Sequence, residues 1–200
     1  MEWLSSLLSG DKKTQRGKTP LQVPKVKTPG WSVATGSNAQ YIRVFSTSDR
    51  VPSVNSIIEW MGYNGLALDV LQGPANPDST HWDIVHFSNP LTRTELRLQC
   101  TRRSDEPDCL AEMEVGEFLR RIGAAGLSGA KRRVIRALKD TKVILACKLP
   151  SGQRSQDGIA PHVQLMRFFQ QRSKGLLQVD GEGFYDTGRL VLDLSNGKRK

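Results

Sequence analysis

Apolar periodicity, which marks a helix or strand that buries one face, is almost absent between the first nine residues and Tyr41. Residues 10–40 contain three prolines and four glycines among mostly polar and basic residues. Such a segment buries too little apolar surface to offset the conformational entropy lost on folding. The sequence therefore predicts a flexible basic linker over 10–40, a single domain over 41–195 and a basic tail over 196–200. A domain of that length can build one hydrophobic core.

Basic residues are concentrated outside the predicted domain. The whole chain has a net charge of +9, yet residues 31–197 carry only +2. Extensions of this kind are suited to an acidic partner such as nucleic acid or an anionic membrane surface. The linker residues that we predict as phosphate-contacting are Lys12, Lys13, Arg16, Lys18, Lys25 and Lys27.

The first nine residues carry one apolar stripe. Trp3, Leu4, Leu7 and Leu8 fall at i, i+1, i+4 and i+5, which places them on one side of a helix. A helix this short is unstable alone in water, so it must dock in order to form. We predict a docking helix over 1–9, with these four side chains as partner-binding residues. The candidate partners are another protein, the chain's own domain and an anionic membrane surface.

Strand and helix periodicities alternate without a strict βαβ order in the predicted domain. This mixture predicts the α+β class, with a mostly antiparallel sheet and about four helices. The predicted strands are 41–45, 66–71, 82–87, 92–100, 142–149, 176–179, 183–185 and 190–194, and the predicted helices are 52–62, 115–122, 127–139 and 161–174.

Cysteine use and hydropathy predict the compartment. The three cysteines are an odd number, and Cys100 and Cys147 lie on apolar strand patterns, which is typical of reduced, buried thiols. The chain shows no signal-peptide pattern, and no apolar run approaches the roughly 20 residues of a membrane span. We therefore predict a cytoplasmic protein without a transmembrane segment.

Two short motifs resemble catalytic signatures but lack their context. Gly17-Lys18-Thr19 would need a glycine where Lys12 stands, and Pro20 blocks the helix that should follow a phosphate-binding loop. Asp186-Thr187-Gly188 matches the aspartic protease tripeptide, but it occurs once, and the adjacent Arg189 opposes a shared proton. A three-residue hairpin loop accounts for the same letters. No cofactor and no catalytic residue is predicted.

Candidate metal ligands are also dispersed. On a strand through 81–86, His81 and Asp83 would share one face while His86 would point to the other, so one ion cannot collect all three. The cysteines lack the paired short spacing of a zinc site. No metal site is predicted. If the chain has catalytic chemistry, the polar set for a hydrolase is the acidic corner Asp180, Glu182 and Asp186, together with His81.

The predicted helix over 127–139 has one strongly basic face. Leu127, Val134, Ile135 and Leu138 lie in one sector, and the basic residues lie on the other side. Such a face is either solvated or in contact with phosphates. The possible phosphate-contacting residues here are Arg132, Arg133, Arg136 and Lys139.

The segment Gly175–Asp186, with the sequence GLLQVDGEGFYD, follows a predicted helix and a buried strand. This ending resembles uncharacterised bacterial α+β proteins over about the last sixty residues. The resemblance implies a bacterial cytosolic origin and brings no activity with it.

Together these patterns favour a non-enzymatic cytosolic protein-interaction module that docks through its N-terminal segment. The alternative is a sequence-nonspecific nucleic-acid-binding protein that uses the basic tails and the Arg132 helix face. The third hypothesis is the hydrolase with the acidic site.

Overall fold

The computed structural model describes residues 40–106, 109–123, 128–150 and 156–195. The predicted docking helix, the linker and the basic tail lie outside these residues, as does Leu127.

One eight-stranded sheet organises the described residues. Its order is β2-β3-β4-β5-β1-β6-β7-β8, and every neighbouring pair is antiparallel. Together with four described helices, this sheet confirms the predicted α+β class. The strands are β1 (Tyr41–Ser46), β2 (Asp69–Gln72), β3 (Ile84–Ser88), β4 (Glu95–Arg102), β5 (Val143–Lys148), β6 (Leu176–Val179), β7 (Gly183–Asp186) and β8 (Arg189–Asp193). The helices are α1 (Val54–Tyr63), α2 (Leu110–Ile122), α3 (Gly129–Lys139) and α4 (Gln156–Ser173).

The helices cover both faces of the sheet because the central strands are apolar on both sides. In β1, Ile42 and Val44 join the core under α1 and α4, whereas Phe45 joins the core under α2 and α3. In β5, Leu145 joins the core under α1 and α4, and Ile144 joins the core under α2 and α3. This pattern is the one expected of strands buried on two faces.

The second face is covered only in part. Under α2 and α3, the sheet supplies Phe45, Ile144, Leu176 and Phe184 to the core. On β3 and β4, on Tyr41 and Arg43 of β1 and on Ala146 and Lys148 of β5, the residues that point to this same side are polar or partly exposed, and we call this region the open face. The candidate site described below lies where the open face meets α2.

Several element boundaries differ from the sequence prediction. The predicted strand over 66–71 is shorter and begins at Asp69, because Leu66 and Leu68 pack against the core before the pairing starts. Trp82 precedes β3, and its indole Nε1 donates to the carbonyl of Pro52 at 2.9 Å. Helix α4 begins at Gln156, upstream of the predicted start at Pro161. The prediction missed this first part of the helix because the chain from 156 to 160 carries no clear apolar periodicity.

None of the helices in the described ranges is long and apolar enough to cross a membrane.

Candidate functional site

The three carboxylates of the acidic corner do not meet. Asp180 accepts hydrogen bonds from the Tyr41 backbone N–H at 3.0 Å and from Arg43 at 2.7 Å. Glu182 accepts from the Tyr185 hydroxyl at 2.5 Å, and Asp186 pairs with Arg133 on α3. Each carboxylate therefore has a different partner. Among the residues that the structure describes, no group of three His, Cys, Asp or Glu side chains is placed to hold a metal ion.

Local backbone geometry explains this dispersal. Gly181 adopts φ +81° in the turn between β6 and β7, and the Glu182 N–H donates to the Val179 carbonyl at 3.1 Å. The next hairpin is tighter than predicted, because Asp186 pairs with Arg189 and leaves a two-residue turn. The predicted three-residue loop at 186–188 is therefore wrong. Thr187 and Gly188 both have positive φ, which is the geometry that two-residue hairpin turns favour.

The Glu182 and Tyr185 pair has a consequence for stability. Burial raises the pKa of the Glu182 carboxyl above its ordinary value. The folded protein therefore holds that proton more tightly than the unfolded chain. The stability gained from this proton is fully present below the unfolded pKa and is lost as the pH rises through the folded pKa.

We expect Glu182→Gln to remove this pH dependence, because an amide does not titrate. The measurement is the difference in free energy of unfolding between wild type and variant from pH 4 to pH 7, taken from urea titrations. Wild type should lose stability relative to the variant as the pH rises. A difference that stays constant with pH, or that changes in the opposite direction, would contradict the buried placement of Glu182.

Arg43 is the centre of a polar cluster that joins three elements. Its Nε donates to Glu114 on α2, and its Nη1 donates to Asp180 at 2.7 Å and to Gln178 at 3.0 Å. The guanidinium carbon also lies 5.0 Å from the ring centroid of Tyr41. The Arg43 side chain is only 14% exposed, so this cluster fixes α2 against β1 and the β6–β7 corner. We call it the Arg43 clamp.

A pocket of about 400 Å³ opens beside the Arg43 clamp. The open face forms its floor, and the first turns of α2 form one wall. Leu110 and Met113 stand on this wall and are 57% and 54% exposed, which is unusual for side chains of that size. The small side chain of Ala146 on β5 leaves room for the cavity. Its lining residues are Tyr41, Arg43, Gln99, Thr101, Leu110, Met113, Glu114 and Ala146.

The histidines that the sequence analysis considered are separated as well. His81 is exposed before β3, with its Nδ1 3.3 Å from the Thr80 hydroxyl. His86 lies on the open face, with its Nε2 3.3 Å from a Glu95 oxygen. Neither histidine lies near the acidic corner's three carboxylates in the contacts that the structure describes.

All three cysteines are free and buried. Burial raises the pKa of Cys100 to about 11 and that of Cys147 to about 12, so both thiols stay protonated at neutral pH. Cys109 is the N-cap residue of α2, although its side chain makes no capping hydrogen bond. The nearby backbone N–H of Glu112 lowers the pKa of its thiol.

The basic face of α3 is exposed to solvent. Val134 and Leu138 are buried on the opposite side of α3, as predicted. Arg133 is engaged with Asp186, and Arg103 donates to the carbonyl oxygen of Lys139. The four predicted phosphate-contacting residues of this helix, Arg132, Arg133, Arg136 and Lys139, are all exposed.

Sequence reasoning missed the pocket and the Arg43 clamp. The available signal was a single arginine inside the otherwise apolar strand Tyr41–Phe45. Its partner Glu114 is 71 positions away, and only the fold brings the two side chains together.

Comparison of the chain with protein-family models, curated proteins and solved structures found no match.

Proposed function

We propose that this chain is a non-enzymatic protein-interaction module that engages a partner protein through its N-terminal stripe. The stripe is Trp3, Leu4, Leu7 and Leu8, and it is joined to the folded domain by the basic segment 10–40. Four large apolar side chains on one side of a short helix are the pattern with which a helix enters a groove on a partner.

One observation on the folded domain supports a binding role over catalysis. The three carboxylates of the acidic corner are committed to structural partners: Asp180 to Arg43, Glu182 to Tyr185 and Asp186 to Arg133. A general acid or base must be within hydrogen-bond reach of the proton that it exchanges with a substrate, and these carboxylates face protein groups instead. The pocket next to the Arg43 clamp has an apolar wall instead, which is a feature of recognition sites.

We expect the triple change of Leu4, Leu7 and Leu8 to serine to abolish a specific association and to leave the melting temperature of the domain unchanged. Serine removes the apolar area that drives docking. The measurement is affinity capture with the full chain and with the triple variant. Any companion protein that only the full chain retains is then purified and titrated against both by calorimetry.

A matched control keeps the charge and length of the segment. Changing Ser5, Ser6 and Ser9 to alanine alters three residues outside the stripe, so that variant should retain the association. The proposal fails if the leucine variant binds as well as wild type. It also fails if the leucine variant melts several degrees lower with no association lost, because the segment then belongs to the fold.

Sequence-nonspecific binding of nucleic acid is the second proposal, and the exposure of the α3 basic face is the observation that favours it. Arg132 and Arg136 have no ion-pair partner among the described residues, so their charges are available to phosphates. Against this, the described aromatic side chains do not alternate with these arginines as a stacking surface would require.

A further inference from the structure

The strand registers align one row of side chains across the open face. Tyr41 on β1 pairs with Lys148 on β5, and Arg97 on β4 pairs with His86 on β3. Leu98 pairs with Cys147, so the next step of the same antiparallel register places Arg97 opposite Lys148. Tyr41, Lys148, Arg97 and His86 therefore cross four adjacent strands in a straight line. We call this line the basic row.

Two like charges face each other in the middle of the basic row. Directly opposite residues on neighbouring strands have Cβ atoms about 5 Å apart, and like charges at that position destabilise a sheet. Lys148 and Arg97 are both exposed, and neither has an ion-pair partner among the described residues. His86 adds a third basic group, with Glu95 beside it. The local repulsion would be relieved by an anionic group that bridges Lys148 and Arg97.

The pocket is lined by the row of side chains that lies next to the basic row on the same face of the sheet. Arg43, Ala146 and Gln99 form the neighbouring row on β1, β5 and β4, and all three line the pocket. A ligand on the basic row therefore has the exposed side chains of Leu110 and Met113 within reach of its next residue. Side chains that can bind an acidic group and side chains that can bind an apolar group are thus adjacent on one surface.

The surroundings favour a peptide over a nucleic acid. Glu114 and Asp180 at one end of this surface and Glu95 at the other would repel a continuous phosphate backbone. The Tyr41 ring already has the Arg43 guanidinium over it, so it offers less stacking surface to a base. A short peptide with a localised acidic group and one large apolar side chain meets neither obstacle.

We propose that the basic row and the adjoining pocket bind an acidic–apolar segment of a partner protein, with its carboxylates on Lys148 and Arg97 and its apolar side chain against Leu110 and Met113. This surface belongs to the folded domain and does not depend on the N-terminal stripe. The chain would then have two separate binding elements.

The test is a selection of random displayed peptides of about 12 residues on the full chain, followed by fluorescence polarisation with the labelled winners. Enriched peptides should carry acidic residues within a few positions of a large apolar residue. Lys148→Glu and Arg97→Glu should each weaken binding by roughly tenfold or more, because they place a negative charge where the carboxylate binds. Met113→Ser should weaken it severalfold by removing the apolar wall.

Stability separates this effect from misfolding. Lys148→Glu replaces a repulsive cross-strand pair with an attractive one, so its melting temperature should equal or exceed that of wild type by roughly 1–3 °C. Arg50→Glu, between β1 and α1, is the matched control, since it makes the same charge change on an exposed residue elsewhere and should leave peptide binding within twofold.

Three results would overturn the proposal. The first is a selection that yields no acidic–apolar peptides, and the second is equal binding of the selected peptides to wild type and to the Lys148→Glu and Arg97→Glu variants. The third is displacement of the peptides from the basic row by an oligothymidylate of about 12 nucleotides whose binding is insensitive to Met113→Ser, because that result would assign the surface to nucleic acid.

Discussion

Gly183→Ala is expected to destabilise the fold by roughly 3–5 kcal/mol and to lower the melting temperature by roughly 10 °C. A Cβ atom built on Gly183 would lie 2.0 Å from the Leu192 carbonyl oxygen, and the residue has φ +154°. The obstructing atom is backbone, so it cannot rotate away as a flexible side chain would. Strand β8 would have to move off β7, which uncovers Phe184 in the core under α2 and α3.

Gly62→Ala is the matched control for this prediction. Gly62 lies inside α1, and a Cβ there would have no heavy atom within 4 Å. Alanine should therefore raise stability by about 0.5–1 kcal/mol through its better helix propensity. Both variants can be compared by thermal and urea unfolding of the full chain. If Gly183→Ala melts within about 2 °C of wild type, the close approach of β7 and β8 is wrong.

The fold class was predictable because most elements carry their own periodic pattern. The stripe Val115, Phe118 and Ile122 forms a buried face of α2, and Gly123 ends the helix as predicted. The apolar run 142–149 became the central strand β5, which is buried on both faces over Val143–Leu145. In these segments the local pattern and the tertiary packing require the same structure.

Boundaries failed where tertiary contacts decide the local structure. The sequence predicts a strand that begins at Trp82, but the indole of Trp82 donates to the Pro52 carbonyl before β3 begins. The helix α4 has Pro161 inside it, although a proline usually marks a helix start. The alternation of apolar and polar residues within a short window of sequence does not reveal such tertiary contacts.

The candidate site was less predictable because it depends on strand register and not on local pattern. Arg97 and Lys148 are unremarkable exposed residues in the sequence, and they become opposite one another only when β4 pairs with β5. The pocket similarly needs α2 to lie across the edge of the open face. Eight antiparallel strands can be arranged in many spatial orders, and the local sequence pattern does not indicate which strands are neighbours.

Arg43→Met is expected to destabilise the domain by about 2–3 kcal/mol, since it leaves two partly buried carboxylates without their cation. Methionine keeps much of the volume and the apolar stem of arginine. The loss therefore reports the interactions of the guanidinium with Glu114, Gln178 and Asp180. Glu114 and Asp180 are 30% and 23% exposed, so solvent offsets part of the penalty that a fully buried pair would impose.

Arg102→Met is the control for the Arg43 clamp, because Arg102 also pairs with a carboxylate but at the surface. Its partner Asp83 is 88% exposed at 3.3 Å, and such pairs contribute at most about 1 kcal/mol. Adding Glu114→Gln and Asp180→Asn to Arg43→Met should recover part of the lost stability, since neutral amides cost less to bury than unpaired carboxylates. Urea unfolding of the single and triple variants measures this coupling. Equal losses for Arg43→Met and Arg102→Met, with no recovery in the triple variant, would mean that α2 is not fixed to the sheet by this cluster.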